Sequence, residues 1–76
     1  MNKARRKAIS EIFSQLEELK SRVEELQGEE QDSFDSLPEG LQQSERGQRI
    51  EDAASYLETA VSSLEDALSA LEEASE

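Results

Sequence analysis

Apolar residues recur along this chain in two long runs of alternating three- and four-residue steps. The first reads Ile9, Ile12, Leu16, Leu19, Val23, Leu26. The second reads Ile50, Ala54, Leu57, Val61, Leu64, Leu68, Leu71. Such steps are the heptad signature of helices packed along their length. The runs mirror each other about Gly40: Ile9 is as far from it as Leu71, Ile12 as Leu68, Leu16 as Leu64, Leu19 as Val61, Val23 as Leu57, and Leu26 as Ala54. Folding back at Gly40 brings each residue level with an apolar partner. Ile50 alone has none, because the mirror sets Glu30 opposite it. The pattern predicts an all-α fold, an antiparallel two-helix hairpin of coiled-coil type.

The expected boundaries make residues 1–76 one helical-hairpin domain, with helices over about 3–36 and 44–75 and a tip over about 37–43. Gly28 is read as an interior glycine, since the flanking segment is compatible with helix and one such residue costs about 1 kcal/mol. Pro38 disfavours helical geometry at Leu37, so the first helix should stop near Ser36, with Phe34 and Leu37 closing the open end of the seam. In the tip, Pro38 fixes one backbone angle and Gly40 permits a positive one. Ser44 has the character of an N-cap for the second helix, with Glu45 in its first turn.

A further period of seven runs through the second helix at Ala53, Ala60, Ala67 and Ala74. It broadens the apolar face beyond what one partner helix covers and suits a bundle of three or more helices. Composition points the same way. The 76 residues are 34% hydrophobic, with two Phe, one Tyr and no Trp. So thin a core is marginal, and small scaffolds usually need a staple. Without Cys or His, disulfides and common zinc sites are excluded. The hairpin is therefore expected to self-associate into a helical bundle, most simply a dimer making four helices, with the Ala53–Ala60–Ala67–Ala74 stripe as the interface.

Charge narrows the partners. Nineteen acidic against eight basic residues give a net charge of −11, contrary to the basic surface that direct nucleic-acid binding needs. Lys3, Arg5, Arg6 and Lys7 concentrate half of the positive charge at the start, beside Glu72, Glu73 and Glu76 in a closed hairpin. Pairing of the two ends is the expected use of that asymmetry, with a basic spot for nucleic acid or phosphate as the sharper alternative. No apolar run approaches a membrane span and no signal-peptide core follows the basic start, so membrane partners are not expected and a cytoplasmic location is. Carboxylates also repeat at seven, as Glu11, Glu18, Glu25, Asp32 and as Glu51, Glu58, Glu65, Glu72.

No enzyme signature is present. Nucleophile elbow, Walker loop and zinc motif are all missing, and Asp32 with Asp35 lacks the calcium-loop spacing. No catalytic residue, cofactor or metal is assigned. The polar cluster that stands out is Gln42, Gln43, Ser44, Glu45, Arg46, Gly47, Gln48, Arg49. A helix N-terminus offers free N–H groups, and two arginines beside it would complete a small anion site. Gly47 is out of place in a first helical turn unless another backbone or a ligand approaches closely there. Gln42, Gln43, Ser44, Arg46 and Arg49 are therefore the candidate binding residues. The plainer reading of the same residues is a capped helix start with the arginines paired to Glu45, Glu51 or Asp52.

The stretch F-D-S-L-P-E-G-L-Q-Q-S-E-R-G-Q-R-I-E-D-A, Phe34 to Ala53, resembles a group of short acidic proteins encoded by phages and prophages of Gram-positive bacteria. Its specific part is Leu37 to Gly47. The heptads from Leu57 are similar too but generic. That group carries no assigned activity. Small phage proteins of this size are often non-enzymatic inhibitors of a host system. The resemblance thus implies a binding protein that blocks a bacterial defence, by contact with a host protein or by holding a nucleotide signal. Two other roles compete with it. One is an acidic DNA mimic whose carboxylate columns occupy a DNA-binding host protein. The other is an assembly role for the coiled-coil faces alone.

Overall fold

A computed structural model describes all 76 residues as three helices: α1 (Lys3–Asp35), α2 (Glu39–Gln42) and α3 (Glu45–Ala74). α1 and α3 pack antiparallel along their length, and α2 lies in the tip against α3. The molecule is a rod of 58 × 15 × 12 Å. Its radius of gyration, 17.2 Å, exceeds the roughly 11 Å of a compact chain this long.

Local chemistry sets the helix ends. Asn2 caps α1 by accepting from the Arg5 amide at 2.8 Å. α1 then runs through Gly28 without a break. A methyl group on Gly28 would meet nothing within 4 Å, so only its conformational freedom weighs against it. Gly28→Ala is expected to raise stability by about 0.5–1 kcal/mol, read as a higher denaturation midpoint. Ahead of Pro38, α1 closes with the Ser36 amide on the Asp32 carbonyl and the Leu37 amide on that of Phe34.

The tip corrects one expectation. Gly40 has no positive φ, and neither has any other residue. Instead of a loop, residues 39–42 make the single turn α2, whose amides at Leu41 and Gln42 donate to the Pro38 carbonyl. Proline is suited to this place because it lacks the N–H that a helix start leaves unpaired. The reversal is accomplished by two sharp corners, at 36–38 and 43–44, rather than by one glycine.

The seam corrects another. On α3 it is as expected: Ile50, Ala54, Leu57, Val61, Leu64, Leu68 and Leu71 are all buried or half-buried. On α1 the half-buried row is Ile9, Phe13, Leu16, Lys20, Val23, Gln27, Glu30, Phe34. Ile12, Leu19 and Leu26, expected to face Leu68, Val61 and Ala54, remain 47%, 47% and 53% exposed. α1 carries apolar residues on both flanks of the Ile9–Leu16–Val23 row, and α3 covers the flank that holds Phe13 and Phe34. Phenylalanine buries more area than any aliphatic residue here, in keeping with that choice. Ala54 and Leu68 are the only hydrophobic residues that are buried.

Ion pairs between helices are few. Lys20 Nζ lies 3.5 Å from Glu65 on α3 and 3.6 Å from Glu24 on its own helix. The expected pairing of the chain ends does not form: Lys3, Arg5, Arg6 and Lys7 make no ion pair with Glu72, Glu73 or Glu76. All seven are exposed, and exposed pairs return too little energy to hold two long side chains in place.

Candidate functional site

The tip cluster is built mostly from contacts that hold the tip together. Gln42 is half-buried. Its side-chain amide donates to the Phe34 carbonyl at 3.2 Å, tying α2 to the end of α1. Its own carbonyl accepts from Gln48 Nε2 at 3.2 Å. Ser44 is the N-cap of α3: its Oγ accepts from the Gly47 amide at 3.2 Å and donates to the Leu41 carbonyl. Ser44→Ala should cost about 1 kcal/mol of stability, measured by chemical denaturation.

Gly47 is buried, and the reason is backbone. A Cβ there would sit 2.4 Å from the Leu41 carbonyl oxygen and 2.5 Å from that of Gln42. The close approach read from the sequence is therefore made by α2. These carbonyls pack against the flank of the first turn of α3, and the Ser44 hydroxyl already takes up the Gly47 amide at its start.

The remaining candidates are exposed. Arg49 pairs with Glu45 one turn before it, as the capped-start reading expects. Arg46 and Gln43 are exposed and make no ion pair or side-chain hydrogen bond. The structure thus brings Gln42 and Ser44 together as framework and leaves Gln43, Arg46 and Arg49 on the surface around them. No pocket is formed at the tip or elsewhere.

No family model matches the chain, and no curated protein or solved structure matches it either. Four residues of the Leu37–Gly47 motif have a folding role. Pro38 starts α2, Gln42 latches Phe34, Ser44 caps α3, and Gly47 admits the carbonyls.

The other candidate surfaces are faces of the rod. Alanines of the proposed interface stripe are graded: Ala53 and Ala67 are half-buried, Ala60 and Ala74 exposed. The carboxylate columns do not share a face. By heptad position Glu11, Glu18, Glu25 and Asp32 lie on the side of α1 away from α3, whereas Glu51, Glu58, Glu65 and Glu72 flank the seam beside Lys20. The residues that sequence reasoning placed wrongly are Ile12, Leu19 and Leu26. With Tyr56, 76% exposed, they are most of the large apolar surface of the rod. No helix is long and apolar enough to cross a membrane.

Proposed function

We propose that this chain is a non-enzymatic binding protein that works as an assembly of helical hairpins. In the setting its tip motif suggests, that of a bacteriophage, it blocks a host defence factor by protein contact. The observation that carries the assembly part of this reading is a surface without a pocket but with a continuous row of half-exposed Ile12, Leu19 and Leu26. Apolar rows of this kind mark surfaces that meet other proteins. Protein contact is favoured over sequestration of a nucleotide because no pocket forms at the tip and Arg49 is already paired with Glu45. It is favoured over DNA mimicry because the two carboxylate columns lie on different faces of the rod.

Native mass spectrometry with a pool of cyclic nucleotides tests the choice, since it reports subunit count and bound mass together. The expected result is a defined oligomer with no added mass. Nucleotide mass that leaves on denaturation, and that Arg46→Ala with Arg49→Ala abolishes, would overturn protein contact in favour of a nucleotide sponge. The inhibitory role has its own test. Expression in a defended bacterial host should restore phage plating, and unchanged plating would remove that role.

A further inference from the structure

The exposed stripe on α1 and the alanine stripe on α3 belong to one face. On α1, Lys20 lies on one flank of the Ile9–Leu16–Val23 row, and Ile12, Leu19 and Leu26 lie on the other. On α3, Glu65 lies on one flank of the seam, and Ala53, Ala60, Ala67 and Ala74 lie on the other. The Lys20–Glu65 ion pair joins the first two flanks. The remaining flanks must then share the opposite side of the hairpin. One broad face of the rod is thus lined by bulky residues along α1 and by alanines along α3, while the other carries Glu17, Glu24, Glu58 and Glu65.

We propose that the occupant of this face is a second copy of the chain, related by a two-fold axis along the rod so that both tips lie at the same end. The inference rests on the self-association proposed above and specifies its geometry. Under this symmetry α1 of one copy lies over α3 of the other, so the bulky stripe meets the alanine stripe. Large against small is how facing helices fill space evenly. The axial register agrees. In the proposed arrangement positions mirrored about residue 40 are level, in keeping with α1 ending at Asp35 and α3 starting at Glu45, equally far from it. A two-fold axis along the rod preserves these levels between copies. Ile12, Leu19 and Leu26 of one copy then come within one residue of Ala67, Ala60 and Ala53 of the other.

The rims are complementary as well. One position outward from the bulky stripe run Gln15, Arg22 and Glu29, and one position outward from the alanines run Ser63, Tyr56 and Arg49. In the same register each falls within two residues of its opposite number. Gln15 faces Ser63, Arg22 faces the ring of Tyr56, and Glu29 faces Arg49. A guanidinium over an aromatic ring and a carboxylate beside a guanidinium are both attractive. In the single hairpin Tyr56 is 76% exposed and Arg22 makes no ion pair. The area is sufficient: a face 58 Å by 15 Å is on the order of the ~800 Å² per partner of a stable interface. The acidic faces point outward, which keeps their repulsion out of the interface.

Cysteine crosslinking tests this directly, because the chain has no cysteine of its own. Two single variants, Leu19→Cys and Ala60→Cys, are mixed and oxidised. The expected product is the disulfide between a Leu19→Cys chain and an Ala60→Cys chain, in excess of either like-with-like product. A dominant Leu19→Cys pair would instead put the tips at opposite ends and overturn the arrangement while leaving self-association intact. An oligomer of native mass with no interchain disulfide would show that another face is used. A monomer would overturn this inference and the assembly on which it rests. Charge exchange gives a second measure. Arg49→Glu should weaken the dimer several-fold, and Glu29→Arg in the same chain should restore it; a double variant no tighter than the single would exclude the rim pairing.

Discussion

Gly47→Ala should destabilise the protein by about 1–3 kcal/mol, although alanine is the better helix former by about 1 kcal/mol. The methyl group would stand 2.4 and 2.5 Å from the carbonyl oxygens of Leu41 and Gln42. Those atoms are backbone, so they give way only if α2 moves as a unit. Moving it strains the Gln48–Gln42 and Gln42–Phe34 hydrogen bonds that fasten the tip. Denaturant titration checks the sign, with Gly28→Ala as the internal control. The same substitution at two helical glycines should shift the midpoint in opposite directions, since nothing lies within 4 Å of a methyl at Gly28. Hydrogen exchange should localise the damage, with the Leu41, Gln42 and Ser44 amides losing protection first. A stabilising Gly47→Ala would mean that α2 does not pack on α3 as described.

Leu68→Ala should have a comparable or larger effect, about 2–4 kcal/mol. Leu68 and Ala54 are the two buried hydrophobic residues of the single hairpin. The loss should appear as a lower denaturation midpoint at every protein concentration, because this residue lies inside one chain. Leu19→Ala is the informative contrast. Leu19 is 47% exposed in the hairpin, so its contribution within one chain is small. If a second copy covers it, its loss should be concentration-dependent, as for any contact made only in an assembly. Equal, concentration-independent losses at both positions would place Leu19 in the internal seam and contradict the placement of α3 over Phe13 and Phe34.

Much of the fold was legible in the residue pattern because the signals there are local. Pro38 limits α1, Ser44 caps α3, and Gly28 is carried by its flanks. The seam of α3 was legible too, since its only bulky residues off the seam are exposed ones such as Tyr56. The seam of α1 was read half correctly. Ile9, Leu16 and Val23 serve either flank, and periodicity does not say which flank a partner covers. The covered flank holds Phe13, which lies outside the regular three-four spacing of Ile12, Leu19 and Leu26, and Phe34, expected only to close the end of the seam. At the tip, the sequence marked Gly47 as a place of close approach. It could not say whether backbone or ligand approaches, because that depends on how Pro38 turns the chain into α2. The same turn removed the need for a positive φ at Gly40. The candidate site was the least legible part, since Gln42 and Ser44 are residue types that bind ligands and fasten corners equally well.

Sedimentation equilibrium of the unmodified protein over a wide concentration range tests the central claim most directly, namely that the open face of the hairpin is covered by a second copy. The account predicts a mass of twice the 8.5 kDa chain, dissociating on dilution, and a single-chain mass for Leu19→Glu with its helical content retained. A mass of 8.5 kDa for the unmodified protein at every concentration up to its solubility limit would contradict it.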